Sequence, residues 1–286
     1  MWIIFGFISA FFDALLNINT KKNTKSIDSV VISWLWILCA SPFLVLPALF
    51  LGFADTDRVF WIALSLRTIL DTLGVILYVR ALKESDISLS QPMLGLTPVF
   101  ILFVSYFING EVPSYLAVLG VMLISLGIYF NNKNKKGGFF EPILSIWKNK
   151  GTKLMFLVSL IYAGTSSLHS LAIKHSDPFT YTAIGIPMIA FLLTIFVVCK
   201  KRKEVVFAFK TLPFFQLIKI GIYDAVAILS QMFGQSLTQA SYLIGVKRSS
   251  IVLTAFLAKK EFGEEIKNRI IPICLIIIGI ILIVLK

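Results

Sequence analysis

The sequence predicts an all-α integral membrane protein, with ten transmembrane helices arranged as two inverted five-helix repeats. Its 286 residues are 57% hydrophobic and only 15% charged, and the mean hydropathy of +0.87 is too high for a soluble domain. Ten apolar runs near the length of a bilayer span follow one another along the chain. The longest polar interval separates five of these runs from the other five.

Each apolar run is predicted to be a helix, because lipid offers no hydrogen-bond partner to an exposed backbone. The first run is expected to be a retained span and not a signal peptide, since lysines follow it and no small-residue cleavage site is present. The predicted helices 1 to 10 cover residues 2–18, 30–53, 60–79, 87–108, 115–130, 154–172, 179–198, 214–237, 242–258 and 270–285.

The basic interval 132–153 is predicted to connect two repeats, residues 1–131 and residues 154–286. The halves show weak self-similarity, in which Glu111 falls opposite Glu261 and Gly127 falls opposite Gly279. Because five is an odd number, two such copies in one membrane must be inverted relative to each other. Inverted repeats of this kind are typical of secondary transporters.

Charge indicates how the chain sits in the membrane. The net charge is +12, but the lysines lie in short loops between apolar runs, so they indicate topology and attraction to anionic lipid and not nucleic-acid binding. Most of the 27 lysines and arginines fall after predicted helices 1, 3, 5, 7 and 9. The positive-inside rule then predicts that these loops are cytoplasmic and both termini outside, in a multi-pass protein of the inner or plasma membrane.

Signatures of soluble enzymes are missing from the sequence. Cys39, Cys199 and Cys274 are far apart in or near apolar runs, so they predict inert packing and neither a metal site nor a disulfide. No phosphate-binding glycine loop, metal-ligand cluster or nucleophile elbow occurs, and only two histidines exist. We therefore expect no cofactor, no metal and no enzymatic activity.

Several short motifs follow one another in an order that resembles the EamA-type family of the drug/metabolite transporter superfamily. They are 81–88 (ALKESDIS), Gln91-Pro92, Thr97-Pro98, Gly110-Glu111, the Gly120/Gly127 helix, Tyr162-Ala163, Lys174, and Lys247-Arg248 thirteen residues before Glu261. The resemblance covers essentially the whole chain. It implies a secondary transporter or exporter of a small organic metabolite, with a central cavity formed mainly by helices 1, 3, 4, 6, 8 and 9. Relatives are commonly described with cytoplasmic termini, opposite to the orientation that the loop charges predict.

The adjacent cations Lys247 and Arg248 also resemble the pair that plastid-type phosphate translocators of this superfamily use on anionic substrates. The resemblance implies an anionic substrate such as an amino acid, an organic acid or a phosphorylated compound. Pro98 stands thirteen residues before Glu111, as Arg248 stands before Glu261, so the two halves differ at corresponding positions. We expect substrate selectivity to depend on this difference.

Polar residues inside the predicted helices are the site candidates, because each is costly in lipid unless it faces a pathway or a partner. The proton-coupling candidates are Asp13, Asp71 and Asp224. The predicted substrate-binding residues are Arg248, Lys247, Asp224, Gln231, Arg67, Asp71, Gln91 and His169.

Some of these residues have a plainer interpretation. Arg67 and Asp71 could neutralise each other at i, i+4 spacing, and His169 could only join helices by hydrogen bonds. Gln91 could be wetted at a helix end, and Lys247 could extend to the membrane interface. The alternative function is a flippase for lipid-linked substrates or a scaffold subunit, which predicts a lateral opening to lipid. Both a monomer and a homodimer are compatible with the sequence.

Overall fold

The computed structural model describes residues 1–131, 149–263 and 270–285, and within these ranges the chain is helical without any strand. Most of the predicted connecting interval 132–153 lies outside the described residues. The first half contains α1 (Trp2–Asn23), α2 (Ser29–Leu51), α3 (Arg58–Glu84), α4 (Ile87–Ser90), a 3₁₀ helix (Gln91–Leu96), α5 (Thr97–Asn109) and α6 (Tyr115–Asn131). The second half contains α7 (Lys150–Lys174), α8 (Pro178–Lys200), α9 (Arg202–Thr211), α10 (Phe214–Leu237), α11 (Ala240–Lys247), α12 (Ser250–Phe262) and α13 (Ile270–Val284).

Four of the long helices begin at an Asp or Asn that caps them. The carboxylates of Asp28, Asp57 and Asp177 accept backbone N–H groups in the first turns of α2, α3 and α8, and the Asn149 amide does so for α7. A cap satisfies backbone donors that the helix leaves free, so these polar residues define where each apolar segment starts.

Seven helical segments of the described chain are long and apolar enough to cross a membrane, which makes the chain a multi-pass membrane protein. Three shorter apolar helices cover Met93–Asn109, Tyr115–Phe130 and Cys274–Ile283. The total of ten spans and the inversion of the halves stay predictions.

Two predicted helices are interrupted in the structure. Predicted helix 4 consists of α4, the 3₁₀ helix that contains Pro92, and α5. Predicted helix 9 is broken into α11 and α12 at Arg248 and Ser249, where Ser249 N–H donates to Val246 and Ile251 N–H to Arg248 in i to i+3 bonds. Apolar composition alone indicated continuous spans because it carries no information on such local tightening. The short helix α9 was also absent from the predicted elements.

Helices of the two halves pack against each other in a regular pattern. The main pairs are α1 with α10, α3 with α7, α2 with α8, and α6 with α13, and α1 also packs on α12 as α7 does on α5. If each helix is replaced by the corresponding helix of the other half, the same set of helix pairs results. At the α6–α13 crossing, a Cβ on Gly120 would lie 2.5 Å from the Gly279 carbonyl oxygen, so only glycine permits this approach.

Contacts between helix ends fall into two groups, which we call the lysine-rich face and the opposite face. The lysine-rich face is defined by the ion pairs Lys22–Glu261, Glu84–Lys150 and Asp28–Lys201. The opposite face is defined by Glu111–Lys174, Asp57–His175 and the bond from Gln239 to the Val112 carbonyl. Successive long helices end alternately at the two faces.

Candidate functional site

A polar cavity of about 130 Å³ lies between helices of both halves, near the midpoints of α1, α3 and α10. Because one water needs only about 10 to 15 Å³ of such space, the cavity has room for several waters or a small organic group. The polar side chains that line it are Asp13, Arg67, Asp71, Tyr78, Tyr162, Thr165, Ser166, His169, Asp224, Gln231, Lys247 and Arg248.

Helical periodicity directs these side chains to one place. On α3 the lining residues are Arg67, Asp71, Val75 and Tyr78, spaced by three or four. On α7 and α10 the lining residues recur with the same spacing, from Tyr162 to His169 and from Asp224 to Met232. The cavity is therefore built from the inward stripes of continuous helices, to which the interrupted helices add Leu94, Ile244 and the two cations.

Arg67 is neutralised by groups on its own and a neighbouring helix. Its Nε lies 2.6 Å from Oδ2 of Asp71 and 3.2 Å from Nε2 of His169. The guanidinium also stacks over the Tyr181 ring at 5.1 Å. This arrangement agrees with the plainer interpretation of Arg67 and Asp71, in which each neutralises the other, although Nη1 of Arg67 has no hydrogen-bond partner.

His169 has two alternative hydrogen bonds on a single nitrogen. Its Nε2 lies 3.1 Å from Oδ2 of Asp71 as well as within reach of Arg67. The nitrogen accepts from Arg67 when it carries no proton, and it donates to Asp71 when it carries one. The cluster of Arg67, Asp71 and His169 can thus exist in two protonation arrangements with little change of geometry.

Lys247 points into the cavity instead of extending to the membrane interface. Its Nζ donates to Oε1 of Gln231 at 2.6 Å and lies 3.8 Å from Oδ1 of Asp13. Asp13 also accepts from Asn17 Nδ2 at 3.4 Å, and Asn17 in turn accepts from the Tyr78 hydroxyl at 2.6 Å. One network therefore connects α1, α3, α10 and the end of α11.

Arg248 differs from the other two cations. It is 5% exposed and lines the cavity at the break between α11 and α12. Its Nε has no hydrogen-bond partner, and none of the ion pairs within the described ranges includes it. A buried guanidinium without a carboxylate is costly, so this position calls for an anionic partner.

Asp224 is the acidic counterpart of Arg248. It is 4% exposed and lines the cavity from α10, and its Oδ2 has no hydrogen-bond partner. The indole Nε1 of Trp36, on the cavity wall contributed by α2, is likewise buried and lies close enough to Asp224 to interact with its carboxylate. Asp224 and Trp36 therefore form a donor and acceptor pair on the cavity wall, whereas Arg248 has no such partner.

Gln91 lies one layer behind the cavity wall. Its Nε2 donates to the Tyr78 hydroxyl at 3.0 Å, and it is 2% exposed, so it is a buried residue and not a wetted helix end. Seven of the eight predicted substrate-binding residues line the cavity, and Gln91 supports it through Tyr78.

As site residues, sequence reasoning missed Tyr78, Tyr162, Thr165 and Trp36. Tyrosine, tryptophan and threonine inside apolar runs were counted as ordinary span residues, and Tyr162 entered only through the family resemblance. The spacing from Arg67 through Asp71 to Tyr78 is a signal that could have found Tyr78. No comparable signal exists for Trp36, whose helix carries no charged residue from Ser29 to Leu51.

A second cavity of about 440 Å³ opens at the opposite face. Its walls include Glu111 and Lys174, together with Ser170 and Gln235, which lie one helical turn beyond the cavity residues Ser166 and Gln231. Both amide atoms of Gln235 are buried without a hydrogen-bond partner. We call this cavity the vestibule.

The chain resembles known proteins both in sequence and in fold. Residues 1–133 and again residues 149–285 match the model of the EamA-like transporter family. A solved structure described only as "Crystal structure of protein" superposes with a TM-score of 0.73, covering 99% of this chain and 96% of that chain. The two sequences are 15% identical, so this likeness shows the fold alone. No curated protein matches the chain.

Proposed function

We propose that this chain, which belongs to the EamA-like transporter family, moves a small organic solute with an anionic group through the central cavity by alternating access. Membership makes it a transporter of the drug/metabolite type, and the family consists of transporters and not enzymes. The substrate class and the mechanism are our proposal.

The observation that carries the anion assignment is Arg248. The other two cations of the cavity already have acidic neighbours, Arg67 in Asp71 and Lys247 in Asp13. Arg248 forms no ion pair within the described residues, and it interacts at longer range with Asp13, the acid that Lys247 also approaches. It faces the same space. A carboxylate or phosphate on the solute would supply the missing charge and accept charge-assisted hydrogen bonds, for which a guanidinium is well suited.

Alternating access is supported by the arrangement of the halves. Exchanging them reproduces the helix pairs, and the cavity is lined by residues of both. Inverted repeats commonly rock about a site at their interface. The tightened turns within predicted helices 4 and 9 lie in corresponding helices, and such turns often act as hinges. We accordingly propose the repeats as residues 1–131 and 154–286, joined by 132–153.

Proton coupling belongs to the same proposal. Nε2 of His169 is within hydrogen-bond distance of both Asp71 and Arg67. Protonation of this nitrogen therefore changes the partner of His169 from Arg67 to Asp71. Asp13 and Asp224 face the cavity beside Lys247 and Trp36 and are the other candidates. The protein would act in the inner or plasma membrane as a monomer or homodimer, with the lysine-rich loops in the cytoplasm.

A stabilisation screen on the purified full-length protein tests the proposal. We expect carboxylates, phosphorylated sugars or amino acids to raise the melting temperature, and organic cations to leave it unchanged. Solutes that stabilise the wild type should stabilise Arg80→Gln and should not stabilise Arg248→Gln. Arg80 is the matched control because it is an arginine outside the cavity, with a side chain that is 49% exposed. Stabilisation by cations alone would reject the anion assignment.

A second candidate function, flipping of a lipid-linked substrate, is favoured by one observation. A groove of about 710 Å³ between α3 and α8 is lined almost entirely by apolar side chains, among them Ile69, Met188 and Phe191. Gly185 packs against the Arg67 guanidinium between this groove and the polar cavity. If the groove holds an acyl or prenyl chain, Ile69→Trp should abolish function while leaving binding of small anions intact.

A further inference from the structure

Two ion pairs connect the halves at opposite faces of the molecule. At the lysine-rich face, Nζ of Lys22 lies 2.5 Å from Oε2 of Glu261. At the opposite face, Nζ of Lys174 lies 3.3 Å from Oε1 of Glu111. None of these four side chains lines the central polar cavity.

The two pairs are built in the same way. Lys22 is in the last turn of α1 and Lys174 ends α7, so each lysine closes the first long helix of its half. Glu111 directly follows α5 and its capping Gly110, and Glu261 lies in the last turn of α12 before Gly263. Each pair thus joins the first helix of one half to the fourth helix of the other, and exchanging the halves converts one pair into the other.

Local geometry holds the carboxylates at the helix ends. Gly110 and Gly263 adopt φ values of 64° and 70°, the left-handed conformation that ends a helix and favours glycine. Glu111 also accepts a hydrogen bond from Ser105 Oγ at 2.8 Å, and its side chain is only 10% exposed although Lys174 is 52% exposed. The Glu111 carboxylate is therefore held in place by its surroundings, whereas the Lys174 side chain lies largely in the open.

We propose that Lys22–Glu261 and Glu111–Lys174 are the two gates of the transporter, each closing the cavity toward one face. The inference rests on the proposed alternating access, because α1 must leave α12 for the cavity to open at the lysine-rich face, and α7 must leave α5 for it to open at the other. Exposed ion pairs are weak, which allows a gate to open and close in every cycle.

The vestibule supports this assignment. Glu111 and Lys174 form part of its wall, and Lys174 lies more than one turn beyond the cavity residue His169 along α7. Ser170 and Gln235 offer free hydrogen-bonding atoms between the gate and the cavity. A solute that passes the opened gate would meet polar groups along the way.

Gate opening can be measured without knowing the solute, by the accessibility of a cysteine in the cavity. The full-length protein, with Cys39, Cys199 and Cys274 replaced by Ser, carries Ser166→Cys as the reporter, since Ser166 lines the cavity. A membrane-impermeant maleimide is added to one side of sealed vesicles, and the initial labelling rate is recorded. Separate proteins with Lys203→Cys or Asp55→Cys establish which side presents the lysine-rich face.

We expect Lys22→Gln to raise labelling from the lysine-rich face about two- to fivefold, the shift produced by losing one ordinary surface pair, and Lys174→Gln to do so from the opposite face. Lys150→Gln is the matched control. Lys150 forms an ion pair with Glu84 that joins α7 to α3, and neither proposed gate lies between these two helices. This variant should change neither rate. The exchange Lys22→Glu with Glu261→Lys should restore the original rate and thereby exclude a folding defect.

The gate proposal would be wrong if a gate variant changed the labelling rate equally from both faces or not at all. It would also be wrong if the exchanged pair failed to restore the original rate. The transport proposal fails separately. If reconstituted protein moves no solute while the labelling shifts remain, the gates stand and the transport assignment does not. If solute moves and the gate variants label like the wild type, only the gates are wrong.

Discussion

Two buried arginines face the same cavity and differ in their surroundings. Arg67 is 3% exposed and Arg248 is 5% exposed. Arg67 has Asp71 and His169 within hydrogen-bond distance, whereas no ion pair of the described chain includes Arg248. A buried charge that is already satisfied contributes structure, and one that is not is available to a solute. Burial alone therefore does not identify a binding residue, and its partners must be known.

Backbone geometry explains the difference. Arg67 and Asp71 are four residues apart on the continuous helix α3, a spacing that brings side chains together. Arg248 lies at a break, with Lys247 on one side and serines on the other, so no acid lies within a helical turn of it along the chain. Removing the acid beside Arg67 and removing the charge of Arg248 should accordingly have opposite consequences.

The largest effect is expected from breaking the satisfied pair. Asp71→Asn should lower the free energy of unfolding by about 3 to 5 kcal/mol, because it leaves the Arg67 charge buried without its acid. The measurement is reversible unfolding in detergent, with Arg67→Met plus Asp71→Leu as the control. The variant Arg67→Met plus Asp71→Leu leaves no buried charge behind and should therefore be more stable than Asp71→Asn. If it is less stable, the loss in Asp71→Asn does not come from an unpaired Arg67 charge.

The next effect concerns the unsatisfied arginine. Arg248→Gln should weaken binding of the stabilising anion by about 10- to 150-fold, the worth of charge-assisted hydrogen bonds, and leave the unfolding free energy unchanged or higher. Arg248→Lys should retain part of the affinity, and Pro98→Ala, at the corresponding position of the first half, should leave it unchanged. Titration calorimetry measures the affinity. A loss of stability as large as that of Asp71→Asn would make Arg248 a structural residue.

Lys247 should behave as an intermediate case, since it has Gln231 close by and Asp13 at 3.8 Å. A double-mutant cycle of Lys247→Met and Asp13→Asn should give a coupling of about 1 kcal/mol in the unfolding free energy. A coupling indistinguishable from zero would mean that both groups are as available to a solute as Arg248.

The smallest effect is expected at the surface pair Asp28–Lys201. Burial opposes ionisation of Asp28, but hydrogen bonds from Lys201 and from the Val30 N–H outweigh it and hold the pKa of this carboxyl below its usual range. Because the folded-state pKa is the lower one, the contribution is present at neutral pH and is lost as the pH falls below about 4. Asp28→Asn keeps the helix cap and should cost less than about 1 kcal/mol at pH 7. Equal stability loss at pH 3 and pH 7 would contradict an electrostatic origin.

The sequence predicted the helical class, the family resemblance and most of the charged cavity residues, because charges in apolar runs are conspicuous and helical spacing is regular. It could not predict partners across the bundle. Asp13 has no neighbour of opposite charge in the sequence, and Lys247 approaches it only where α1 meets the end of α11. The plainer interpretation of Lys247 placed that side chain at the membrane interface.

The interrupted helices and the aromatic cavity wall also depend on tertiary structure. Apolar composition is the same in a continuous span and in one tightened near Arg248, and Tyr78 or Trp36 looks like any span residue until the cavity is seen. Glu111 and Glu261 were aligned from the sequence, but their lysine partners became evident only from the contacts between helix ends.

Counterflow in proteoliposomes tests the central claim most directly. Vesicles loaded with the stabilising anion would be diluted into its radiolabelled form, and uptake by the wild type compared with Arg248→Gln and Arg80→Gln. We predict uptake by the wild type and Arg80→Gln and a loss of uptake by Arg248→Gln at equal protein and equal melting temperature. Equal uptake by all three proteins, or uptake of organic cations alone, would contradict the account.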